Sequence, residues 1–274
     1  MSRLNCEATQ NPCMTLESPT LFVGDSPFFI LLFWWYNGSM IKIENVSKLY
    51  GEKKALDNVS FEVKKGEIFA FIGHNGAGKT TLIKSICGIL DFDEGEILIN
   101  GHSIKEDPLR CKKGMAYISD DPELYEDMSA VSFINFICDM YDVSTEVRKK
   151  NIEHYAKLFG IENDLGSEIK SFSHGMKQKV ALIAALSHEP KILIMDEPFV
   201  GLDPKAIFDM KEVMKGIVKK GGTIFFSTHI LDVAEKLCDR VAIVKKGRIV
   251  KVGGMKEIRG DKSLEKVFLE LEDK

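Results

Sequence analysis

The chain has 274 residues, of which 45% are hydrophobic and 28% charged, and its formal net charge at pH 7 is -4. This length suits one folded domain, and the mildly acidic balance argues against a nucleic-acid-binding surface. The longest unbroken apolar run, Phe28 to Tyr36, is far shorter than the roughly 20 residues of a membrane-spanning helix, so we expect no membrane span in this chain.

Residues 1 to 39 differ in composition from the rest of the chain. Prolines recur, Arg3 is the only basic residue, and an aromatic run lies near the end. A secretory signal would have a basic start, one apolar stretch and a small-residue cleavage site, which this segment lacks. Two interpretations stay open: a genuine extension, or an upstream segment that is disordered or untranslated because translation starts at Met40.

Apolar patterns predict the elements of the first half of the domain, which we place at residues 40 to 274. Alternation over Met40–Val46 predicts a strand, and Val59–Val63 predicts another. The continuous apolar segment Glu67–Ile72 predicts a buried strand that runs into a glycine-rich turn and a helix over Lys79–Leu90. A short strand and turn follow at Glu96–Gly101.

The second half mixes helical and parallel-strand patterns. Apolar residues at helical spacing predict three helices, over Ala130–Met140, Glu146–Phe159 and Met176–Ser187. Two apolar runs, Lys191–Asp196 and Thr223–Thr228, predict parallel strands on either side of a helix over Lys205–Lys219. The stretch Arg240–Val252, with Lys-Gly at its middle, predicts a hairpin.

The glycine-rich turn matches a phosphate-binding pattern. Gly73-His-Asn-Gly-Ala-Gly-Lys-Thr-Thr81 contains G-x-x-x-x-G-K-[ST] between a strand and a helix, the setting that this pattern requires. Glycines let backbone N–H groups close around phosphate oxygens, and the helix N-terminus adds partial positive charge. We predict that Lys79 reaches the β- and γ-phosphates of ATP and that Thr80 holds Mg²⁺. The predicted ATP contacts in this segment are Gly73, Asn75, Gly76, Ala77, Gly78, Lys79, Thr80 and Thr81.

Two acids follow the predicted strand that starts at Lys191. Asp196 and Glu197 stand where a buried strand emerges, which is where open α/β sheets bind ligands. Because neighbouring strand residues point in opposite directions, the two acids are expected to have different roles. Asp196 is predicted to support Mg²⁺, and Glu197 to orient or deprotonate the water that attacks the γ-phosphate.

The order of these motifs and the segments after them resembles the ATP-binding cassette of ABC transporters, from Met40 to the C-terminus. Phe172-Ser-His-Gly-Met lies where the family has its signature Leu-Ser-Gly-Gly-Gln, although only two of five positions agree. The resemblance implies that Ser173 and Gly175 touch the nucleotide of the opposite subunit, at a helix N-terminus suited to anions. Val200-Gly-Leu-Asp203 resembles the D-loop, and His229 resembles the switch histidine that donates a hydrogen bond to the γ-phosphate.

Two further positions follow from the resemblance. Tyr50 fits the aromatic residue that stacks on adenine, with a packing tyrosine as the alternative. Asp120 aligns with the glutamine of the family's Q-loop, where it still offers an oxygen to Mg²⁺. His74 also replaces a usual proline, and Met176 replaces the signature glutamine. These departures leave the coupling to a membrane partner open.

The resemblance implies a fold and a set of partners. The fold is an α/β phosphate-loop NTPase core with a mostly parallel sheet, an antiparallel β lobe and a helical signature lobe at about residues 121 to 175. The implied cofactors are ATP and Mg²⁺, and the implied partners are a separate transmembrane permease and a second cassette, identical or different, at the cytoplasmic face of the membrane. The acidic Q-loop and the Ser263–Leu271 ending are similar to bacterial drug and antibiotic exporters. Alternatives are an importer cassette, a soluble ABC ATPase of translation or DNA repair, and a nucleotide-binding module without catalysis.

Overall fold

In the computed structural model, which describes residues 38–272, one of two sheets is antiparallel throughout. It contains β1 (Ser39–Tyr50), β2 (Lys53–Lys64), β4 (Glu94–Ile99) and β5 (His102–Ser103). The strand order is β2-β1-β4-β5. Of the N-terminal segment that the sequence predicts over residues 1 to 39, residues 1 to 37 lie outside the described residues. Ser39 already belongs to β1.

The other sheet is mostly parallel. It contains β3 (Ile68–Ile72), β6 (Met115–Ile118), β7 (Ile192–Met195), β8 (Thr223–Thr228), β9 (Arg240–Lys245) and β10 (Arg248–Gly254). The order is β10-β9-β3-β8-β7-β6, and only β10 runs antiparallel to its neighbour. The predicted α/β architecture, with a mostly parallel core sheet and an antiparallel lobe, is confirmed.

Helices connect the strands and cover the parallel sheet. They are α1 (Lys79–Ile86), α2 (Pro108–Lys112), α3 (Ala130–Met140), α4 (Thr145–Phe159), α5 (His174–Ser187), α6 (Pro204–Lys219), α7 (Leu231–Leu237), α8 (Met255–Arg259) and α9 (Leu264–Glu272). Six of them begin at a side chain that accepts a hydrogen bond from the first helical turn: Asp107, Ser129, Ser144, Ser173, Asp203 and Ser263. Such a cap stabilises a helix by about 1 kcal/mol, so a single local residue helps to fix where each of these helices begins.

The core has two parts because strand side chains alternate between the faces of the parallel sheet. In β3, Ile68, Ala70 and Ile72 face the helical side. Phe69 and Phe71 face the antiparallel sheet and stack on Phe61 of β2 at centroid distances of 5.2 and 5.7 Å, and Phe225 of β8 stacks on Phe61 and Phe69 at 5.9 Å. Full burial of each such side chain contributes about 1.5–3 kcal/mol, so this aromatic layer holds the two sheets together.

One predicted helix is shorter in the structure, and the predicted hairpin is present with a defined two-residue turn. Helix α1 ends at Ile86 rather than Leu90, because Gly88 has φ +59° and packs against Ile104. In the hairpin β9–β10, Lys246 and Gly247 have φ +49° and +78°. Positive φ at both turn residues matches the twist of the flanking strands, as the sequence predicts.

Four parallel strands end at the same edge of the sheet. After β3 comes the glycine-rich turn, after β6 comes Asp120, after β7 come the two acids, and after β8 comes His229. Since β3, β8, β7 and β6 are neighbours in that order, residues far apart in sequence meet at one edge. The carboxyl edge of a parallel sheet is where ligands of this architecture bind.

Candidate functional site

Two glycines shape the turn between β3 and α1, which we call the phosphate loop (residues 73–81). A Cβ on Gly73 would lie 2.5 Å from the Val244 carbonyl oxygen, and one on Gly78 would lie 2.4 Å from the Ala55 carbonyl oxygen. Gly78 also has φ +106°, a conformation that favours glycine. The loop overlaps the first turn of α1. It contains all the phosphate contacts predicted for this segment: Gly73, Asn75, Gly76, Ala77, Gly78, Lys79, Thr80 and Thr81.

The Lys79 ammonium lies inside the loop. Its side chain is 6% exposed, and Nζ donates to the carbonyl oxygens of Gly73 at 2.8 Å and His74 at 3.3 Å. The Glu197 Oε1 atom lies 3.3 Å from the same nitrogen. A buried charge is stable only with an opposite charge and hydrogen bonds around it, and these three oxygens supply both.

Glu197 also contacts His229, so one carboxylate joins residues from three loops. Its Oε2 atom lies 2.9 Å from His229 Nδ1 and accepts a hydrogen bond from the His229 backbone N–H at 3.2 Å. The Glu197 side chain is 13% exposed, whereas that of His229 is 50% exposed. Glu197 and His229, which the sequence predicts as separate catalytic residues, therefore meet beside Lys79, with the imidazole on the open side.

The two acids diverge for a reason other than the one predicted. Strand alternation was expected to separate them, but β7 ends at Met195, before both residues. Glu197 instead has φ +46°, a left-handed conformation that costs a non-glycine residue about 1–2 kcal/mol. The Ser227 hydroxyl holds this turn by accepting a hydrogen bond from the Glu197 N–H at 3.1 Å. The turn, not the strand, directs Glu197 toward Lys79.

Asp196 is fully buried at the same edge. Its Oδ1 atom accepts a hydrogen bond from the Ser227 hydroxyl, and its Oδ2 atom has no hydrogen-bond partner among the described residues. Burial raises the pKa of the Asp196 carboxyl, although the hydroxyls of Ser227 and Thr80 act in the opposite direction. A buried carboxylate oxygen beside Thr80 is the kind of oxygen that hard cations bind.

The donor set fits Mg²⁺ bound together with a phosphate. Asp120 follows β6, is exposed, and lies close enough to raise the pKa of Asp196 by repulsion. Within residues 38–272, no group of three or more His, Cys, Asp or Glu side chains has a metal-binding arrangement. Mg²⁺ commonly takes one or two protein ligands and completes its shell with waters and phosphate oxygens, so Thr80, Asp120 and Asp196 suffice.

The predicted signature residues lie at the start of α5. The Ser173 hydroxyl accepts a hydrogen bond from the Met176 N–H at 3.4 Å, and a Cβ on Gly175 would lie 2.8 Å from the Gly201 carbonyl oxygen. No hydrogen bond or ion pair in the described part of the chain joins Ser173 or Gly175 to Lys79. The structure thus brings the signature to the D-loop-like segment (residues 200–203) but not to the phosphate loop.

Asp203 and Tyr50 lie outside the cluster around Glu197. Asp203 caps α6 by accepting a hydrogen bond from the Ala206 N–H at 2.8 Å, and it pairs with Lys179 at 3.0 Å; both contacts lower its pKa. Tyr50 ends β1 with 52% of its surface exposed, and the Lys48 ammonium lies 5.7 Å from its ring centroid. An exposed ring can stack on a base, which stays a prediction for this residue.

Sequence reasoning missed two residues at this edge. Ser227 forms hydrogen bonds with both acids. The sequence feature that could have pointed to it is the segment Phe-Ser-Thr-His, in which it stands two residues before His229. Gln178 is fully buried in α5, and neither its amide nitrogen nor its oxygen has a hydrogen-bond partner among the described residues. Its oxygen lies 3.3 Å from the position of a Cβ on Gly201. Nothing in the local pattern separates Gln178 from the exposed polar residues around it.

Comparison with known proteins identifies a family. The sequence model described as ABC transporter matches residues 56–200. The uncharacterized ABC transporter ATP-binding protein MJ1023 of Methanocaldococcus jannaschii is 38% identical over 80% of this chain and 79% of its own length. EcsA of Bacillus subtilis, an ABC-type transporter ATP-binding protein, is 36% identical over 85% of this chain and 96% of its own. The lantibiotic transport ATP-binding protein SrtF of Streptococcus pyogenes is 34% identical over 84% and 96%.

Solved structures agree with these sequences. The ATP-binding subunit of an ABC transporter superposes with a TM-score of 0.82 at 36% identity, covering 85% of this chain and all of that one. The cassette MJ0796, a dimer in a post-hydrolysis state with ADP and Pi, superposes with a TM-score of 0.72 at 26% identity, covering 79% and 99%. Among residues 38–272, no helix has the length and apolar character to cross a membrane.

Proposed function

The chain belongs to the ABC transporter family as an ATP-binding and ATP-hydrolysing subunit, and from this membership we propose that it drives export through a separate membrane-spanning partner. The observation that carries the proposal is the contact of Glu197 with both Lys79 and His229 at the carboxyl edge of the sheet. A binding module without catalysis has no need for a carboxylate in that place. The sites and partners below are parts of this proposal.

The phosphate loop holds the triphosphate. Lys79 exchanges its contacts with two loop carbonyls and Glu197 for contacts with the β- and γ-phosphates, which carry more negative charge. That exchange frees Glu197 Oε1 to accept a hydrogen bond from the attacking water and then its proton. The half-exposed imidazole of His229 would donate a hydrogen bond to the γ-phosphate from the open side of the pair.

Mg²⁺ would be held by Thr80, Asp196 and Asp120, and when bound it would neutralise charge on the phosphates. The partnerless Oδ2 atom of Asp196 supports this assignment. Tyr50 would stack on the adenine.

A second cassette would complete each site. Ser173 and Gly175 stand at a helix N-terminus, which suits an anion, but no hydrogen bond or ion pair among the described residues joins them to Lys79 of their own chain. A partner arranged head to tail would bring its signature onto this ATP. Such a closed dimer would form with ATP and open after hydrolysis, a two-state cycle that a membrane partner can use. The dimeric structure of a cassette at 26% identity, with ADP and Pi bound, supports the formation of a dimer.

Export is supported by the relatives. Curated relatives at 30–34% identity carry names of linearmycin resistance, lantibiotic transport and probable multidrug transport. We infer the same direction for this chain, with a position at the cytoplasmic face of the membrane, where its permease partner would dock.

The partner is testable by trapping. A tagged Glu197→Gln chain is held with ATP in its native host, membranes are solubilised in detergent, and co-purifying proteins are identified by mass spectrometry. Recovery of a polytopic membrane protein is expected, with a Lys79→Ala chain as the control that cannot hold ATP. Recovery of ribosomal or DNA-repair proteins without a membrane protein would replace export with the function of a soluble ABC ATPase.

A further inference from the structure

The phosphate loop touches the C-terminal helix α9 through two aromatic rings. The His74 ring lies 4.9 Å from the Phe268 ring, centroid to centroid, at an interplanar angle of 67°. Phe268 is 5% exposed, whereas His74 is on the surface of the loop. This edge-to-face geometry is the favourable one for aromatic pairs. A helix that follows the last strand of the sheet thus contacts the loop that is to hold ATP.

Helix α9 is itself fixed to the body of the domain. At its start, Glu235 of α7 accepts a hydrogen bond from the Leu264 N–H at 2.7 Å and another from Arg259 at 2.6 Å. Near its end, the Lys245 ammonium at the end of β9 donates to the Leu271 carbonyl oxygen at 3.3 Å. Because both ends are anchored, Phe268 is a fixed point against which the loop can rest.

The loop residue that Phe268 contacts also organises the loop backbone. The His74 carbonyl oxygen accepts hydrogen bonds from the Ala77 N–H at 3.1 Å and from Lys79 Nζ at 3.3 Å. The other side of the loop is held by the hairpin turn, because the Gly247 N–H donates to the Ala77 carbonyl oxygen at 3.0 Å. Displacement of His74 would therefore disturb both the turn and the lysine.

We propose that Phe268 is a positioning residue for ATP binding, which acts through His74 by holding the phosphate loop in the shape that receives the triphosphate. The inference rests on the proposed ATP site. Phe268 does not touch the reacting atoms, so its loss should weaken the binding of ATP and of the transition state alike. A mutation of that kind raises KM and leaves kcat nearly unchanged.

The test compares Phe268→Ala with Leu269→Ala, the next residue on the same helix, whose side chain is 55% exposed. Dissociation constants for ATP are measured by calorimetry on full-length chains that also carry Glu197→Gln, and kcat and KM are measured without that change. Phe268→Ala is expected to raise the Kd and KM for ATP about 3- to 10-fold, the range for loss of one aromatic contact. Leu269→Ala is expected to match its parent.

A double-mutant cycle separates positioning from folding. Phe268→Leu keeps an apolar side chain in the core, and His74→Ala removes an exposed ring, so both variants should fold. If the rings act as a pair, the double variant raises the Kd for ATP no more than the stronger single variant. Additive effects, or a Kd unchanged in every variant, would overturn the proposal. If the parent chain bound no ATP, the proposed function would fail instead.

Discussion

At the scale of single residues, Glu197 connects the parts of the site. It lies 3.3 Å from Lys79 Nζ and 2.9 Å from His229 Nδ1, and its left-handed backbone turn is held by Ser227. A residue in a conformation of this kind persists only where its surroundings fix it, which is common at functional sites. The strain is therefore consistent with a carboxylate that is aimed at a reacting group.

Replacement of this carboxylate should separate binding from chemistry. Glu197→Gln keeps the shape but accepts no proton, so turnover should fall by about 100-fold or more. The Kd for ATP should stay within about 3-fold of the wild-type value, because the phosphate loop is unchanged. Phosphate release and calorimetry measure the two effects. Glu212→Gln, at an exposed pair with Lys215, is the control and should behave like the wild type. Wild-type turnover in Glu197→Gln would remove the residue from the mechanism.

A second residue-scale prediction concerns His188, which stacks on Tyr141 at 3.7 Å with the rings parallel. Burial lowers the pKa of His188 from 6.5 to about 4. Below pH 6.5 the unfolded chain therefore takes up a proton that the folded chain refuses, and the free energy of unfolding falls as the pH drops toward 4. The loss from this residue is at most about 3.5 kcal/mol, at about 1.4 kcal/mol for each pKa unit.

The variant His188→Phe keeps a ring against Tyr141 and removes the titration. Its free energy of unfolding, measured by urea denaturation between pH 7 and 4, should fall less steeply than that of the wild type. The exposed His154→Phe controls for an added apolar ring. Identical pH profiles for His188→Phe and the wild type would show that the stacked imidazole has the same pKa in the folded and unfolded chains, which would contradict the prediction.

At the scale of elements, the start of α5 packs against the D-loop-like segment through glycines. A Cβ on Gly175 would lie 2.8 Å from the Gly201 carbonyl oxygen, and one on Gly201 would lie 2.9 Å from the His174 ring. The two segments can approach only because neither carries a side chain at this point. Lys179 and Asp203 add a hydrogen-bonded ion pair across the same contact.

Gly175→Ala should push these segments apart. We expect it to lower the free energy of unfolding by about 1–3 kcal/mol, as for other overpacked sites. Turnover should fall as well, because the signature helix would shift. Gly216→Ala in α6 is the matched control, since its Cβ meets nothing within 4 Å; removing a helical glycine should add about 0.5–1 kcal/mol. Equal stability of the two alanine variants would contradict the close contact.

The sequence predicts elements well where a local pattern is strong. Helix α3 begins and ends where its apolar stripe does, and the hairpin turn is encoded by Lys246-Gly247. Short elements such as α2 and β5 have too few residues for a hydrophobic period to be recognised, so the sequence does not predict them. The strand order is not local either, because β3 lies between β8 and β9, strands that are far away in sequence.

The same distinction applies to the site. The phosphate loop, Asp196 and Glu197 are recognisable because a motif or a strand end marks them. The role of Ser227 as a link between the two acids depends on the pairing of β7 with β8, which only the folded chain shows. The contact of His74 with Phe268 joins residues at opposite ends of the domain and has no local signal at all.

At the scale of the whole molecule, the aromatic layer that joins the two sheets leaves the carboxyl edge of the parallel sheet open. The phosphate loop, the two acids and His229 meet at this edge, whereas the start of α5 packs against the D-loop-like segment. The proposed assembly of each site from two chains would explain why one chain carries both segments without bringing them together. On this proposal, ATP brings two cassettes together.

Sedimentation velocity on the Glu197→Gln chain tests whether ATP brings two cassettes together. With saturating ATP and Mg²⁺ the chain should sediment as a dimer, and with ADP or with the added change Ser173→Arg it should sediment as a monomer. Calorimetry on the same samples establishes that ATP is bound. A chain that binds ATP and still sediments as a monomer, alone and mixed with its co-purified partners, would contradict the account.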